Sequence, residues 1–452
     1  MRDTLSALEE RLDAPTSRAL AQAVSRAIRD GALAPGERLP PIRRVAQQLM
    51  LSPTTVSSAW QLLARSGVIR SDGRRGTTVA LAGYGGDRYS SALKHDPGSR
   101  LDLSTGVPDP ALLPDLGRLV DLVGRAEGHA APGSYLDDPV LPELRDVLLA
   151  DWPTPAEDLL VVDGAMDALD LITRALLRPG DPVVVESPGF PVLLDLLEDR
   201  GVLVLPVELD HSGPDPDALA ALLARRPVAV IVQPRGQNPT GVSLTPTRAR
   251  RLASLLAPTS SLVIEDDSAG DIASSPALSL GRWLPDRVIH IRSFSKSYGP
   301  DLRLAAMTGP ASVLAPIRHV RALGQGWTSR LLQRVLTALL TDAETQAGVR
   351  SARAEYARRR GLVTGRLAEH GIPVSGTDGL NIWVPVRDEP AAVLRLASEG
   401  IAVAPGRPFL VDRRDGEPHI RVTTGLITEG HLAIADAIAD AARASAWSAQ
   451  HR

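Results

Sequence analysis

The chain has 452 residues, 44% of them hydrophobic and 23% charged, with a formal net charge of −3. That length exceeds a single core and calls for two or three domains of ordinary soluble composition. The chain has no cysteine, which excludes disulfides, thiolate metal sites and a cysteine nucleophile, and fits a reducing compartment.

The N-terminus, "MRDTLSALEERLDAP", has no apolar leader stretch, and no uninterrupted apolar run approaches the roughly 18 residues of a membrane span. A cytoplasmic protein is therefore expected. Charge is unevenly spread. Residues 1–80 hold 12 arginines against 7 acidic residues, a net +5, which leaves −8 for the remainder. A basic head on an acidic body points towards nucleic acid, although a solvated basic face alone would look the same.

In the head, Leu20, Ala23, Val24 and Ile28 fall on one stripe of a helix over 17–31 that Gly31 closes. After the turn-rich "LAPGERLPP", a short helix over 42–51 turns Ile42, Val45, Ala46 and Leu49 inward. Ser52 N-caps the next helix, Pro53 takes its first position, and Val56, Trp60 and Leu63 are buried before Gly67. Two short helices joined this way predict a helix-turn-helix. A hairpin over 68–80 turns at Asp72-Gly73 and carries Arg74 and Arg75 at its tip, within reach of phosphates.

These parts and the string "G-x-L-x-P-G-x-R-L-P-P-x-R-x-V-A…L-S-x-x-T-V" resemble the GntR-type winged helix over about 60 residues. The resemblance implies that Arg43, Thr54, Thr55, Gly73 and Arg74 contact double-stranded DNA. Many relatives carry arginine where this chain has Pro53, so part of that grip is expected at Arg43, Arg44 or Ser57. A winged helix can instead serve as a dimerisation or protein-binding module.

Residues 81–100 read as a Gly/Ser-rich linker, with Lys94 as a solvated linker lysine. From Leu101 onward the short runs "DLLVVDG", "DPVVVESP", "VAVIVQP", "SLVIEDD" and "RVIHIRSFSK" alternate with helical patterns. That alternation predicts an α/β domain with a mostly parallel sheet, whose chemistry sits at the carboxyl ends of its strands.

Each run ends in a distinctive loop. Gly164 opens a helix whose first N–H groups, on Ala165 and Met166, are free to hold a phosphate. Phe190 offers a ring for stacking, and "NPTG" presents Asn238. Asp266 and Asp267 end one strand; Ser293, Ser295, Lys296 and Arg303 follow another. Of the 50 basic side chains only Lys94 and Lys296 are lysines, so Lys296 stands out. A phosphate cup, an aromatic lid, an amide, an acid and one primary amine describe a pyridoxal 5′-phosphate (PLP) site. The aldehyde needs an amine that guanidinium cannot replace, and the pyridine nitrogen needs a carboxylate.

From residue 101 to the end these segments resemble fold-type I PLP-dependent transferases of the aminotransferase class. That implies a large domain over about 155–325 and a smaller α+β domain from 101–154 and 326–452. By motif, Lys296 would bond the cofactor aldehyde as a Schiff base and Asp266 would pair with the pyridine nitrogen, with Asp267 as the alternative. Asn238 would bond the ring O3′ oxygen, and Phe190 would stack where the family usually has tyrosine. Ala165, Met166, Ser293, Ser295 and Arg303 would hold the phosphate. Tyr135 would reach the phosphate of a second subunit, implying a homodimer, and Arg421 would clamp a substrate α-carboxylate. A surface role for Arg421 is the bland alternative.

Three departures stand out. Ser268 occupies the place of a tyrosine that bonds O3′, Val140 that of a glycine, and Val192 that of an arginine found in relatives that sense GABA. The first two favour a site that binds cofactor over one that turns it over; the third argues against GABA. A GntR-type head joined to such a body resembles the MocR-type transcriptional regulators over essentially the whole chain. The resemblance implies a cytoplasmic, homodimeric regulator that binds promoter DNA and senses PLP or a small amino-acid effector, with vitamin B6 or amino-acid metabolism as its field. The alternatives are a working aminotransferase with a regulatory head, and a degenerate fold that binds no cofactor.

Overall fold

The computed structural model describes residues 4–34, 36–65, 68–72, 76–79, 88, 99–115, 117, 134, 137–413 and 416–445. Gly73, Arg74 and Arg75 of the wing, Lys94 and Tyr135 lie outside the described residues.

The head comprises α1 (Thr4–Glu9), α2 (Ser17–Arg29), α3 (Ile42–Gln48), α4 (Pro53–Arg65) and a hairpin of β1 (Ile69–Asp72) and β2 (Gly76–Val79). The helical stripes meet in one core, where Leu20 and Val24 pack with Val45, Val56, Trp60 and Leu63, and Ile28 lies at its edge. Thr16 Oγ1 accepts from Ala19 N at 3.1 Å to start α2, and Ser52 Oγ accepts from Thr55 N at 3.0 Å to start α4. Helix α3 is shorter than its apolar pattern. It stops at Gln48 because Met50 takes a φ of 49°, a left-handed turn that brings Leu51 N to Ala46 O at 2.9 Å. The wing strands pair antiparallel, Ile69 with Val79 and Asp72 with Gly76.

The body is built on an eight-stranded sheet formed by β4 (Asp158–Val162), β5 (Pro182–Ser187), β6 (Leu203–Asp210), β7 (Gly213–Pro214), β8 (Ala229–Val232), β9 (Leu262–Asp267), β10 (Val288–Ser293) and β11 (Ala305–Gly309). The spatial order is β4-β11-β10-β9-β8-β5-β6-β7. Strands β6, β5, β8, β9 and β10 run parallel, and β11 is antiparallel to both β10 and β4. The five Val/Ile-rich runs are β4, β5, β8, β9 and β10. Strand β6 carries Pro206 near the sheet edge, and β11 is Ala-Ala-Met-Thr-Gly, so neither shows the same signal.

One face of the sheet packs Ile264, Ile289 and Ile291 against the helix Ala165–Leu176, and the other packs Val230 and Val263 against the helix Pro246–Leu256. A second sheet, in the order β12 (Asn381–Pro385), β15 (His419–Thr423), β14 (Ala404–Pro405), forms a separate core with the helices Ala343–Glu369 and His431–Ala442. Leu101–Asp102 (β3) pairs in parallel with Ile401–Ala402 (β13), so the chain enters the body through this C-terminal layer. Among the described residues no helix is long and apolar enough to cross a membrane.

Candidate functional site

The strand registers set the first half of the site. Val162, Ala305 and Ser293 form one row across β4, β11 and β10. Just past Val162, Gly164 takes a φ of 102° and opens the helix Ala165–Leu176, so the N–H groups of Ala165 and Met166 have no carbonyl within the helix to bond. A methyl group at Gly164 would lie 3.1 Å from Nη2 of Arg303, which places that guanidinium across the helix start. Ser293 is buried, and its Oγ accepts from Ser295 N at 3.4 Å. Positive helix end, two hydroxyls and an arginine thus meet at adjacent strand ends, as an anion requires.

The paired acids separate by the period of the strand. Successive side chains of β9 leave opposite faces, so Asp266 joins the face that carries Ser293 and the helix Ala165–Leu176, and Asp267 joins the other. Both are nearly inaccessible to water. Asp267 is spent on structure, accepting from Arg235 Nε at 3.2 Å, from Arg235 Nη2 and from Gly270 N at 3.2 Å. Asp266 accepts only from Gln233 Nε2, at 2.6 Å on Oδ2, while its buried Oδ1 bonds nothing among the described residues. Burial raises the Asp266 carboxyl above its usual range, against the Gln233 bond and the charge of Lys296. Of the two acids, Asp266 is the one with a valence to spare.

Lys296 lies in the one-turn helix Ser295–Tyr298 directly after β10. Its Nζ donates to Ser268 Oγ at 3.4 Å, and the same hydroxyl accepts from Gln233 Nε2 at 3.2 Å. Burial lowers the Lys296 pKa and the Arg421 charge lowers it further, while Asp266 opposes both. The balance increases the neutral, nucleophilic amine.

Asn238 and Arg421 are joined. Asn238 Oδ1 accepts from Arg421 Nη1 at 3.2 Å and from Asn381 Nδ2 at 3.5 Å, so the amide oxygen is occupied and Nδ2 is the group left to donate. Arg421, on β15, is 2% exposed, which excludes a surface role. Its Nη2 donates to Ser104 O, and its guanidinium stacks over Phe409 at 4.9 Å from the ring centre. Phe190 caps the helix Pro191–Asp199 and lines a cavity with Val185, Glu186, Ile231 and Gln233.

Gln233, Glu186 and Phe409 were not among the residues singled out from sequence. Gln233 lies inside "IVQPRGQNPTG", but an amide gives no chemical signature until its partner is known. Its Oε1 also accepts from Asn238 N at 2.8 Å, so one side chain orders both the acid and the amide.

In the head, Arg43, Arg44 and Thr54 are exposed, and Thr55 and Ser57 are partly exposed. Ser52 Oγ bonds the hydroxyls of Thr54 and Thr55 at 2.7 and 2.8 Å. The start of α4 therefore presents a polar, ordered tip, the geometry of a recognition helix.

Residues 16–79 match bacterial regulatory proteins of the gntR family, and residues 115–438 match class I and II aminotransferases. Over 406 residues the chain is 36% identical to the vitamin B6 salvage pathway transcriptional repressor PtsJ of Salmonella typhimurium, covering 88% of this chain and 92% of that one. It is 30% identical to the pyridoxine biosynthesis transcriptional regulator PdxR of Corynebacterium glutamicum over 410 residues, 85% of this chain and 86% of the other. The structure of a Pyrococcus horikoshii kynurenine aminotransferase, determined with PMP, aligns with a TM-score of 0.68 at 25% identity, over 76% of this chain and 92% of that one. With a gntR-type head and a class I and II aminotransferase body in one polypeptide, the chain belongs to the MocR-type transcriptional regulators.

Proposed function

We propose that this regulator holds PLP at Lys296 and converts its presence, or that of an amino-acid-like ligand, into a change of affinity for promoter DNA. The observation that carries the proposal is the buried Oδ1 of Asp266, which has no hydrogen-bond partner among the described residues and lies on the face that also carries the anion cup. An orphaned carboxylate oxygen is costly unless a donor arrives, and a ring N–H is such a donor.

The residues fit the cofactor. Bound PLP supplies an aldehyde that condenses with amines and a ring that withdraws electrons. Lys296 offers the amine, Asp266 Oδ1 would hold the ring N–H, and Asn238 Nδ2 would donate to the ring oxygen. Phe190 would cover one face. Ala165, Met166, Ser293, Ser295 and Arg303 would hold the phosphate, and Tyr135 would complete the cup of the neighbouring copy in a homodimer. Arg421, already fixed by Asn238 and Ser104, would take an α-carboxylate in a two-point bond. Promoter DNA would lie against Arg43, Arg44, Thr54, Thr55, Ser57 and the wing residues Gly73, Arg74 and Arg75, in the cytoplasm.

The names of PtsJ and PdxR both refer to vitamin B6, which supports that field of control. Ser268, in place of a phenol, supports a site that binds better than it turns over: its hydroxyl is shared between Lys296 and Gln233. The test pairs a mobility shift on the DNA upstream of the protein's own gene with a transamination assay. The proposal expects PLP-dependent retardation and slow or no transamination. Ordinary enzyme rates on common amino acids, with that DNA ignored, would establish the working aminotransferase instead.

A further inference from the structure

Three unrelated contacts converge on the segment Gly406–Val411. Phe409, fully buried, carries the Arg421 guanidinium on its ring. The buried carboxylate of Glu389 accepts from Arg407 N at 3.0 Å and from Gly406 N. Arg88, within the expected linker and only 3% exposed, donates from Nη1 to Leu410 O at 2.8 Å and from Nη2 to Val411 O at 3.4 Å.

Each contact leads elsewhere. Glu389 begins the helix Glu389–Ser398, which turns Ala392, Val393 and Leu396 into the C-terminal core. The same helix turns Leu394 into the core of the head, in one cluster with Val56, Trp60 and Leu63. A body residue thus completes the packing of the DNA-binding unit. Arg88 is also bonded to the large domain, with its backbone N on Asp195 Oδ2 at 3.0 Å and its guanidinium on Glu198. Those acids sit on the helix that Phe190 caps, and Gly189 N donates to Phe409 O at 2.8 Å. A tether needs no buried guanidinium, and burying one is unfavourable unless it is paired. Here the partners come from both sides of the ligand site.

We propose that Gly406–Val411 is the coupling element by which occupancy at Arg421 reaches the head, with Leu394 and Arg88 as its two outputs. The inference rests on the ligand site proposed at Arg421. At Gly406 the segment is packed too closely to absorb a shift. A methyl group at Gly406 would lie 2.5 Å from His419 O and 2.9 Å from the Trp383 ring. A carboxylate bound at Arg421 therefore bears through the Phe409 ring on the segment, and with it on the seat of the head and the anchor of the linker.

The test uses the full-length protein and two variants, Leu394→Ala and Arg88→Ala, one for each output. DNA affinity is measured without PLP, with PLP, and with PLP plus each common L-amino acid. Wild type should change affinity between these states by about 5- to 150-fold, the usual range of coupling between sites. Each variant should take up PLP with an unchanged visible absorption band, and Arg88→Ala should also retain its basal DNA affinity, while in both the ligand-dependent ratio falls to within about twofold of one. If both variants keep the wild-type ratio, the coupling assignment is wrong. If wild type itself shows no ratio although PLP is bound, the regulator reading fails and the coupling with it. A band lost in either variant would also count against the assignment, since neither residue is placed in the cofactor site.

Discussion

Asp266 and Asp267 are adjacent in sequence and serve opposite faces of one sheet: the first keeps a free oxygen in the candidate site, and the second is locked by Arg235. Their substitutions should separate cleanly. Asp266→Asn removes a buried carboxylate that gains only one bond, so the cofactor-free protein keeps or slightly gains stability while its affinity for PLP falls at least about tenfold. Asp267→Asn breaks a buried ion pair and should cost about 3–5 kcal/mol. Absorbance titration with PLP and denaturant unfolding of both variants check the pair.

Lys296 is expected to be the sole covalent anchor. After borohydride reduction with PLP, which expels water from the condensation and adds two hydrogens, the wild-type protein should gain one phosphopyridoxyl group per chain, and Lys94→Ala should behave the same. Lys296→Arg and Lys296→Ala should gain none, because a guanidinium does not condense with the aldehyde. Intact-protein mass spectrometry decides it.

Gly164 occupies a backbone region that side chains rarely enter, and the space a methyl group would take is bounded by Arg303. Gly164→Ala should cost about 1–3 kcal/mol of stability and weaken both PLP and inorganic phosphate, since the cup is displaced. Thermal unfolding with and without phosphate measures both effects.

Glu186 predicts a pH dependence. Burial, aided by the charge of Asp266, pushes its carboxyl from 4.5 up to about 8, against hydrogen bonds from Gln233 and Gln237. The folded state therefore holds a proton that the unfolded chain releases. Its contribution is fully present below about pH 4.5 and is lost as pH rises towards about 8. Wild type should lose stability across that window, and Glu186→Gln should lose less. Unfolding temperatures of both proteins at several pH values test the sign.

Arg43 and Arg44 stand exposed at the start of α3. Alanine at either should weaken binding to all sequences similarly and lower the slope of log affinity against log salt by about 1. Anisotropy titrations over a salt series would show this; a change confined to the specific site would instead assign base readout.

Much of this architecture is legible in the chain because it is local. Apolar period gave α2 and α4, Ser52 and Pro53 gave the start of α4, and β-branched runs gave five strands of the large sheet. The loops that follow those strands contain the lysine, acids and amide that the fold gathers. What escaped is non-local. Gln233 matters only because β8 lies beside β9, which lets its amide reach Asp266 and Ser268. The resemblance put Asp266 before Asp267, but the physical difference between them lies in which sheet face holds the helix Ala165–Leu176. Phe409 and Leu394 carry no motif at all. Their roles arise from what lies across the interface, beneath Arg421 in one case and inside the head in the other.

The central claim is that chemistry at Lys296 governs binding at the head. It is tested most directly by the affinity of full-length protein for its own upstream DNA, titrated with PLP, in wild type and Lys296→Ala. The account predicts a change of about fivefold or more in wild type as the cofactor band appears, and none in the variant. Equal DNA affinity with and without bound PLP in wild type would contradict it.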